Sequence, residues 1–552
     1  MPAVRNVVSA GARGPRPLGS WRSIGFMGKV LKNPQILLAF ALLYLCVCNI
    51  VWIHSDSRPP FWDAAYHQAK AIQVSNALHT LGLSGLLAIP RSTGYYPPLF
   101  HCIVAFFYAL FGKSSHTGIL ANLPAIAVLL YATYGLGKRL LPPHAAVAGA
   151  VLVSFFPFML WLSRETLIDY WLTSMVALAM LCLLETEGFS KARESVIFGV
   201  VCGLGMLTKW TFPIYVAVPA IWAVGKSWKN ASLAALTAAA ISAFWYWPRW
   251  PVLAAFLKIN SAGGAAEGDP SGLSPQALIF YVRALEGYQL FLPLFILFIA
   301  GFVGLLRRFL PAWIPIVLWL ASGWCGLLLF QNKDPRYSMP LLPAVALISA
   351  YFFRNRQKWL PALAVFLLFQ HYLVSFGIRQ LPERVVLLKA IEGRLSWDWN
   401  LYSQTYFRMV GPPAREDWKI EPLLARMAKP GGPVVKIGLV FNIPRFDAEA
   451  FEFYGALHNY PIEVTRLWDF NEDAIANQSF ILLCEGDQGN AAFYSNAEME
   501  RQLKNLHQIS QFILDRPERF QLTDRFVVPS GQSIRLYRPK ALMPALGPPS
   551  GM

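Results

Sequence analysis

The chain has 552 residues, of which 55% are hydrophobic and only 14% charged, with a mean hydropathy of +0.41. A water-soluble domain carries about 25% charged residues, so this composition excludes an ordinary soluble enzyme and describes a polytopic membrane protein. The net charge of +17 does not point to nucleic acid, because the basic residues come in short clusters between apolar runs, as in cytoplasmic loops facing anionic lipid.

Residues 1–34 form a Gly/Pro/Arg-rich segment that reads as a cytoplasmic tail. The apolar run at 35–53 has no small-residue cleavage site and is expected to be a retained helix. Next comes "SRPPFWDAAYHQAKAIQ" (57–73), where Asp63 follows two prolines and opens an amphipathic stretch, the position of a helix cap. Further apolar runs at 117–137, 145–162, 167–185, 195–208, 210–225, 231–248, 289–306, 310–330, 338–353 and 359–377 bring the expected spans to eleven. The stretch at 97–112 is short for a span. Laid along the outer interface, it puts every strongly basic loop inside: Lys138/Arg139, Lys191/Arg193, Lys226/Lys229, Arg307/Arg308 and Arg354/Arg356/Lys358.

That topology gathers the unusual charges on the outer face: "SRPPFWDAAYH" (57–67), "SRETLIDYW" (163–171), "LTKW" (207–210), a long loop at 249–288 and "QNKDPRYSMP" (331–340). The part of that loop at 259–275 is flexible by composition and suits a gate. From 378 to 552 the apolar runs shorten to strand length (434–441, 480–484, 533–539), with a helical pattern at 496–515, which predicts a C-terminal α/β domain on the outer side. "PSGQSIRLY" reads there as a turn entering an edge or terminal strand. Six of the seven cysteines lie in or beside apolar runs, and neither a disulfide framework nor a zinc site is readable.

Charge beside hydrocarbon is costly and points to function. Asp63 stands in the first outer loop. Glu165 and Asp169 are i and i+4, one face of a helix, with Arg164 placed to pair with either; the plainer reading is an ion pair at a helix end. Lys209 is a lone cation after Gly203 and Gly205, which suit close helix contact, and Arg336 with Tyr337 repeats the pattern at another boundary. Lys209 and Arg336 suit a phosphate, although a snorkelling lysine is as good a reading of the first. Phosphate sites at lipid depth suit a phosphate anchored in the bilayer, such as a polyprenyl phosphate carrying a sugar.

Asp63, "YYPPLFH" (95–101), "SRETLIDYW" (163–171), "GLGMLTKW" (203–210), "DPRYSMPLLP" (334–343) and the C-terminal "PSGQSIRLYRP" together resemble the membrane-embedded GT-C glycosyltransferases, in the bacterial branch related to protein O-mannosyltransferases and the lipid A aminoarabinose transferase. The likeness covers most of 35–377, which it implies is a transmembrane catalytic domain, with 378–552 as a periplasmic or extracytoplasmic domain. It implies inverting transfer of a sugar from a polyprenyl-phosphate donor to a lipid, glycan or protein acceptor at the outer face of a bacterial inner membrane. In that scheme Asp63 is the general base toward the acceptor hydroxyl and Asp169 a second outer acid that helps position donor or metal, with Glu165 as a further catalytic acid. Lys209 and Arg336, with Arg164 and Tyr337, hold the donor phosphate, and His67, Tyr96 and Trp62 line the donor and acceptor space.

Two departures bear on this scheme. Ala64 follows Asp63 where relatives have Glu, and Tyr96 precedes Pro97 where several have Lys. The first leaves a divalent metal (Mg, Mn or Ca) at Asp63 and Asp169 an open question, since clustered hard-oxygen ligands are its minimum signal. A transporter or lipid flippase is the competing reading; it requires charges spread through the membrane depth and matched broken helices.

Overall fold

The computed structural model describes residues 33–225, 227–266, 268–270, 272–390, 397–406, 409–485 and 497–540. The N-terminal tail up to residue 32 lies outside the described residues, and so does Lys226. Each of the eleven apolar runs is helical. Six stretches are long and apolar enough, by length and composition, to cross a membrane: Pro34–Ser55, Ser115–Leu140, Ile168–Glu185, Pro275–Arg307, Pro311–Leu328 and Gln357–Phe376. The other runs lie in shorter or interrupted helices and in the 39-residue helix Trp228–Ala266. The chain is that of a multi-pass membrane protein.

Prolines open many of these helices, at Pro34, Pro143, Pro157, Pro213 and Pro275. There the missing N–H has no helical partner to lose and the fixed φ is already helical. Helix Ala192–Thr208 lies close against Trp228–Ala266 through glycines. A Cβ on Gly199 would sit 2.5 Å from the Ala234 carbonyl oxygen, and one on Gly203 would sit 2.7 Å from the Ile241 Cβ. Gly205 makes room instead for the Phe212 ring, in the turn that carries Lys209.

The loops sort to two ends. At one end, Arg139 pairs with Glu185, Asn230 donates to the Phe189 carbonyl, and His144 meets the Phe353 carbonyl. Helix Ile168–Glu185 runs from there to Asp169 at the other end, about 25 Å away for its 18 residues at 1.5 Å each. Helix Leu99–Phe111 has only 13 residues, about 20 Å, and packs on helix Trp62–Leu81. The expected long loop at 249–288 is mostly helix: Trp228–Ala266 runs on, and a new helix starts at Pro275, capped by the Ser274 side chain. Small residues such as Ala254 and Ala255 extend that helix where glycines further on suggest a coil.

After the last membrane helix the chain forms an antiparallel ribbon, β1 (Arg384–Ala390) and β2 (Trp397–Ser403). A five-stranded sheet follows, made of β3 (Val435–Val440), β4 (Ile462–Arg466), β5 (Phe480–Glu485), β6 (Phe520–Val527) and β7 (Ser533–Pro539). Its order is β4-β3-β5-β7-β6, parallel across β4-β3-β5 and antiparallel across β5-β7-β6. Alternation divides its two cores. Ile437, Leu439, Leu482 and Ile534 face one side, with helix Ala448–Leu457; Val440, Ile481, Leu483 and Tyr537 face the other, with helix Ala497–Leu514. The strand entered by "PSGQSIRLY" is the last along the described chain, a terminal strand as expected, but it is internal to the sheet and not an edge, because the preceding strand β6 folds back outside it. Helix Ala448–Leu457 lies on helix Trp62–Leu81, and Phe453 joins the core of the bundle.

Candidate active site

A cavity of about 680 Å³ opens between the charged end of the bundle and the C-terminal domain. Its wall includes Trp62, Asp63, Glu165, Asp334, Arg336 and, from the other domain, Asn400. Asp63 lies in the first turn of helix Trp62–Leu81, whose positive N-terminal end favours a carboxylate. It does not cap that helix: Phe61 is the cap residue, no side chain caps there, and the Asp63 carboxylate turns to Arg336 at 2.9 Å.

Arg336 is positioned locally. Asp334 precedes Pro335, caps the turn Pro335–Leu341 by accepting the Arg336 N–H at 2.7 Å, and binds the guanidinium at 2.8 Å. Burial works against the Arg336 charge, but Asp334, Asp63 and Asp169 more than offset it and hold its pKa well above the ordinary value.

A second pair lies deeper. Lys209, just past helix Ala192–Thr208, donates to Asp169 at 2.6 Å, and their side chains are 5% and 2% exposed. The ammonium also sits 4.9 Å from the centre of the Tyr337 ring, which links the two pairs through the neighbour of Arg336. Lys209 and Asp169 do not line the cavity, whereas Asp63 and Arg336 do.

Glu165 lines the cavity but is not on one helical face with Asp169, because it lies in a turn and the helix begins only at Ile168. Asn122, at the cap position before helix Leu123–Leu140, binds that turn by donating to the Ser163 and Glu165 carbonyls. Burial pushes the Glu165 carboxyl up to about 7, against the pull of Arg445 and Arg58. Arg164 pairs with neither carboxylate. It is buried inside the bundle, where it donates to Asn49 at 2.9 Å and Ser375 at 2.7 Å and stacks on Trp52. It lines a small neighbouring cavity of about 20 Å³.

Trp62 lines the main cavity, whereas His67 and Tyr96 do not; their rings meet edge to face with centres 4.8 Å apart. His67 is also hydrogen-bonded to His101 at 3.0 Å, and burial beside Lys209 and Arg336 keeps it neutral, its pKa well below the ordinary value.

Several wall residues had no signal in the local sequence. Asp269 accepts the Lys333 N–H at 2.7 Å, and burial pushes its carboxyl up to about 6. Arg283 is exposed at the cavity, and Arg384 pairs with Asp398 at 3.1 Å. A π-helical turn, Leu285–Leu290, breaks the helix beneath the cavity, and its Glu286 accepts the Asn400 N–H at 2.8 Å. Such turns recur at functional sites; the charged pattern "RALEGYQ" was the available clue.

The sequence signature of the family described as dolichyl-phosphate-mannose-protein mannosyltransferase matches residues 96–248. No curated protein sequence matches the chain. Among solved structures, ArnT from Cupriavidus metallidurans in the apo state is similar over 93% of this chain and 98% of its own, at 14% identity and a TM-score of 0.54. AglB, the oligosaccharyltransferase of Archaeoglobus fulgidus, in complex with an inhibitory peptide and a dolichol-phosphate, matches 93% of this chain and 74% of its own at 13% identity and a TM-score of 0.52. The Archaeoglobus fulgidus oligosaccharyltransferase in complex with zinc and sulfate matches 89% and 72% at 12% identity and a TM-score of 0.50. At such identities the likeness is one of architecture: the chain has the GT-C fold, a helical membrane part followed by a sheet-containing C-terminal region.

Proposed function

We propose that this protein is a membrane glycosyltransferase that moves a sugar from a polyprenyl-phosphate donor to an acceptor hydroxyl, with inversion. The observation that carries the reading is the Asp63–Arg336 pair at the wall of the cavity, a base and an anion-binding cation side by side at one end of an apolar bundle. The dolichol-phosphate bound by AglB supports a lipid-phosphate donor. The gathering of charge at one end, away from the basic loops, favours chemistry at a surface over a path through the membrane. By the positive-inside rule that end faces outward, in a bacterium across the inner membrane, and the C-terminal domain stands there as an extracytoplasmic unit of about 378–552 behind a catalytic unit of 35–377.

In the reaction the Asp63 carboxylate takes the proton of the acceptor hydroxyl, whose oxygen bonds to the sugar C1 while the bond from C1 to the phosphate oxygen breaks. The polyprenyl phosphate leaves with the electron pair, and Arg336 stabilises the charge it gains. Inversion sets base and leaving group on opposite faces of C1, so the 2.9 Å pair is a resting state that the donor phosphate opens by competing for Arg336. Asp334 keeps the guanidinium in place while Asp63 is released. Tyr337 and the Lys209–Asp169 pair support Arg336 from below, and Trp62 offers a ring for the sugar.

A divalent metal held by Asp63 and Asp169 does not fit this arrangement. Each carboxylate is bound to a cation, and among the described residues there is no group of three His, Cys, Asp or Glu placed to share an ion. Transfer is expected to survive titration with EDTA.

The test is turnover by the purified chain in nanodiscs. Polyprenyl-phosphate sugars are supplied one at a time, hexose or pentose, and release of the lipid phosphate is followed by mass spectrometry. Release dependent on acceptor and lost in Asp63→Asn is expected; no release from any such donor, or undiminished release by the variant, would overturn the reading.

A further inference from the structure

The stretch 56–62, which joins the first membrane helix to Asp63, is anchored by the C-terminal domain. The Asp56 carboxylate accepts the Ala414 N–H at 2.9 Å, the Ser57 N–H donates to the Ala414 carbonyl at 2.9 Å, and Arg58 donates to the Pro412 carbonyl at 3.0 Å. Further along, the buried Arg445 donates to the Pro59 carbonyl at 2.8 Å and lies over the Phe61 ring, 4.7 Å from its centre.

Trp62 closes the series. Its indole N–H donates to Asn442 at 3.0 Å, and its backbone N–H is shared between the two carboxylate oxygens of Asp447, 3.3 Å from each. Trp62 has φ +44°, in the left-handed region. A bulky L-residue adopts that conformation only where its surroundings over-determine it, and such residues gather at functional sites. Asp447 is 1% exposed, and its carboxylate also accepts the Ala450 N–H at 3.0 Å, as cap of helix Ala448–Leu457, and the Arg445 N–H. One carboxylate thus ties the domain's own helix to the residue before Asp63.

We propose that Asp447 is a positioning residue: it holds Trp62 in the left-handed conformation, and that turn aims Asp63 at Arg336 and the cavity. The C-terminal domain would then set the reactivity of the helical part, a role that rests on the transferase reading but is measurable without it. Were the turn to relax, the first turn of helix Trp62–Leu81 would rotate and carry Asp63 off the cavity wall, and misplacement of a reacting group by about 1 Å can cost about 10²-fold in rate.

The test uses the full chain in nanodiscs with Asp447→Ser and Asp447→Asn. Serine still caps the helix but is too short to reach the Trp62 N–H, whereas the Asn oxygen can accept both bonds. Hydrogen exchange over 57–66 is expected to rise about tenfold in Asp447→Ser, with Asp447→Asn like the wild type. In turnover, kcat is expected to fall about 10²-fold in the serine variant while the donor KM stays within about threefold, and the asparagine variant recovers most of kcat. Unchanged exchange in Asp447→Ser overturns the proposal, whatever the protein catalyses, and so does raised exchange with kcat intact. Equal loss of kcat in both variants also overturns it. If the wild type itself turns over no polyprenyl-phosphate sugar, the transferase reading falls and the exchange result alone decides the role of Asp447.

Discussion

Two carboxylate–cation pairs of the same chemistry, linked through Tyr337, do opposite things in this fold. Asp63 and Arg336 meet at 2.9 Å with side chains 40% and 19% exposed, on the wall of a cavity. Asp169 and Lys209 meet at 2.6 Å with side chains 2% and 5% exposed, behind it. Water or a ligand anion can replace either partner of the first pair, so it can open at small cost. The second pair is shut away from the cavity, and breaking it leaves a charge in a buried site without its ion-pair partner. The exposed pair is suited to chemistry and the buried one to holding the floor beneath it.

The largest expected effect sharpens that contrast. Asp63→Asn should lower transfer by about 10²–10⁴-fold, the usual worth of a general base, while the thermal unfolding midpoint stays near that of the wild type. A variant that unfolds early instead would make the exposed pair structural and erase the distinction. The buried pair should behave in reverse: Lys209→Met alone should lose about 3–5 kcal/mol of stability by leaving Asp169 uncompensated. Lys209→Met with Asp169→Leu should recover most of it, as read from unfolding in detergent. Failure of the double variant to recover would show that the pair does more than neutralise itself. Next in size, Arg336→Lys keeps the charge but loses the fork that binds Asp334 and Asp63 together, and should raise the donor KM by about tenfold with a smaller change in kcat.

The membership of these pairs was legible in the sequence, but their pairing was not. Asp63, Asp169, Lys209 and Arg336 are visible because charges beside apolar runs are rare and costly. Which meets which depends on partners 40 residues apart in the chain in one case and 273 (336 − 63) in the other. The helices were legible for the same local reason, since length, hydropathy and prolines at their first turns decide them. Where tertiary contacts overrule local pattern, the reading fails. Glu165 stays in the turn before Ile168, its carbonyl bound by Asn122, and so shares no helical face with Asp169, and β6 folds outside β7 to make an internal strand of one that looks like an edge. Asp269, Arg384 and Asn400 carry no signal beside their neighbours in the chain, and only folding gathers them at one cavity.

Glu165 is the intermediate case and the finest test of the comparison. It is as buried as the inner pair yet lines the cavity like the outer one, with Arg445 and Arg58 near but not bound to it. Burial raises its carboxyl to about 7, so between the unfolded value of about 4.3 and that point the folded chain binds more protons than the unfolded one. Stability therefore falls as pH rises through that window, and the loss is complete above it. Glu165→Gln removes the proton and with it this slope: the unfolding midpoint should change less between pH 5 and 8 than in the wild type, and the variant should be the more stable of the two at the upper end. The wild type's slope persisting in Glu165→Gln would assign it to other groups, Asp447 first among them, since burial lifts its carboxyl to about 7 as well. A slope of opposite sign would mean that Arg445 and Arg58 hold Glu165 ionised, which would place it with Asp63 as a second carboxylate ready to accept a proton at the cavity wall.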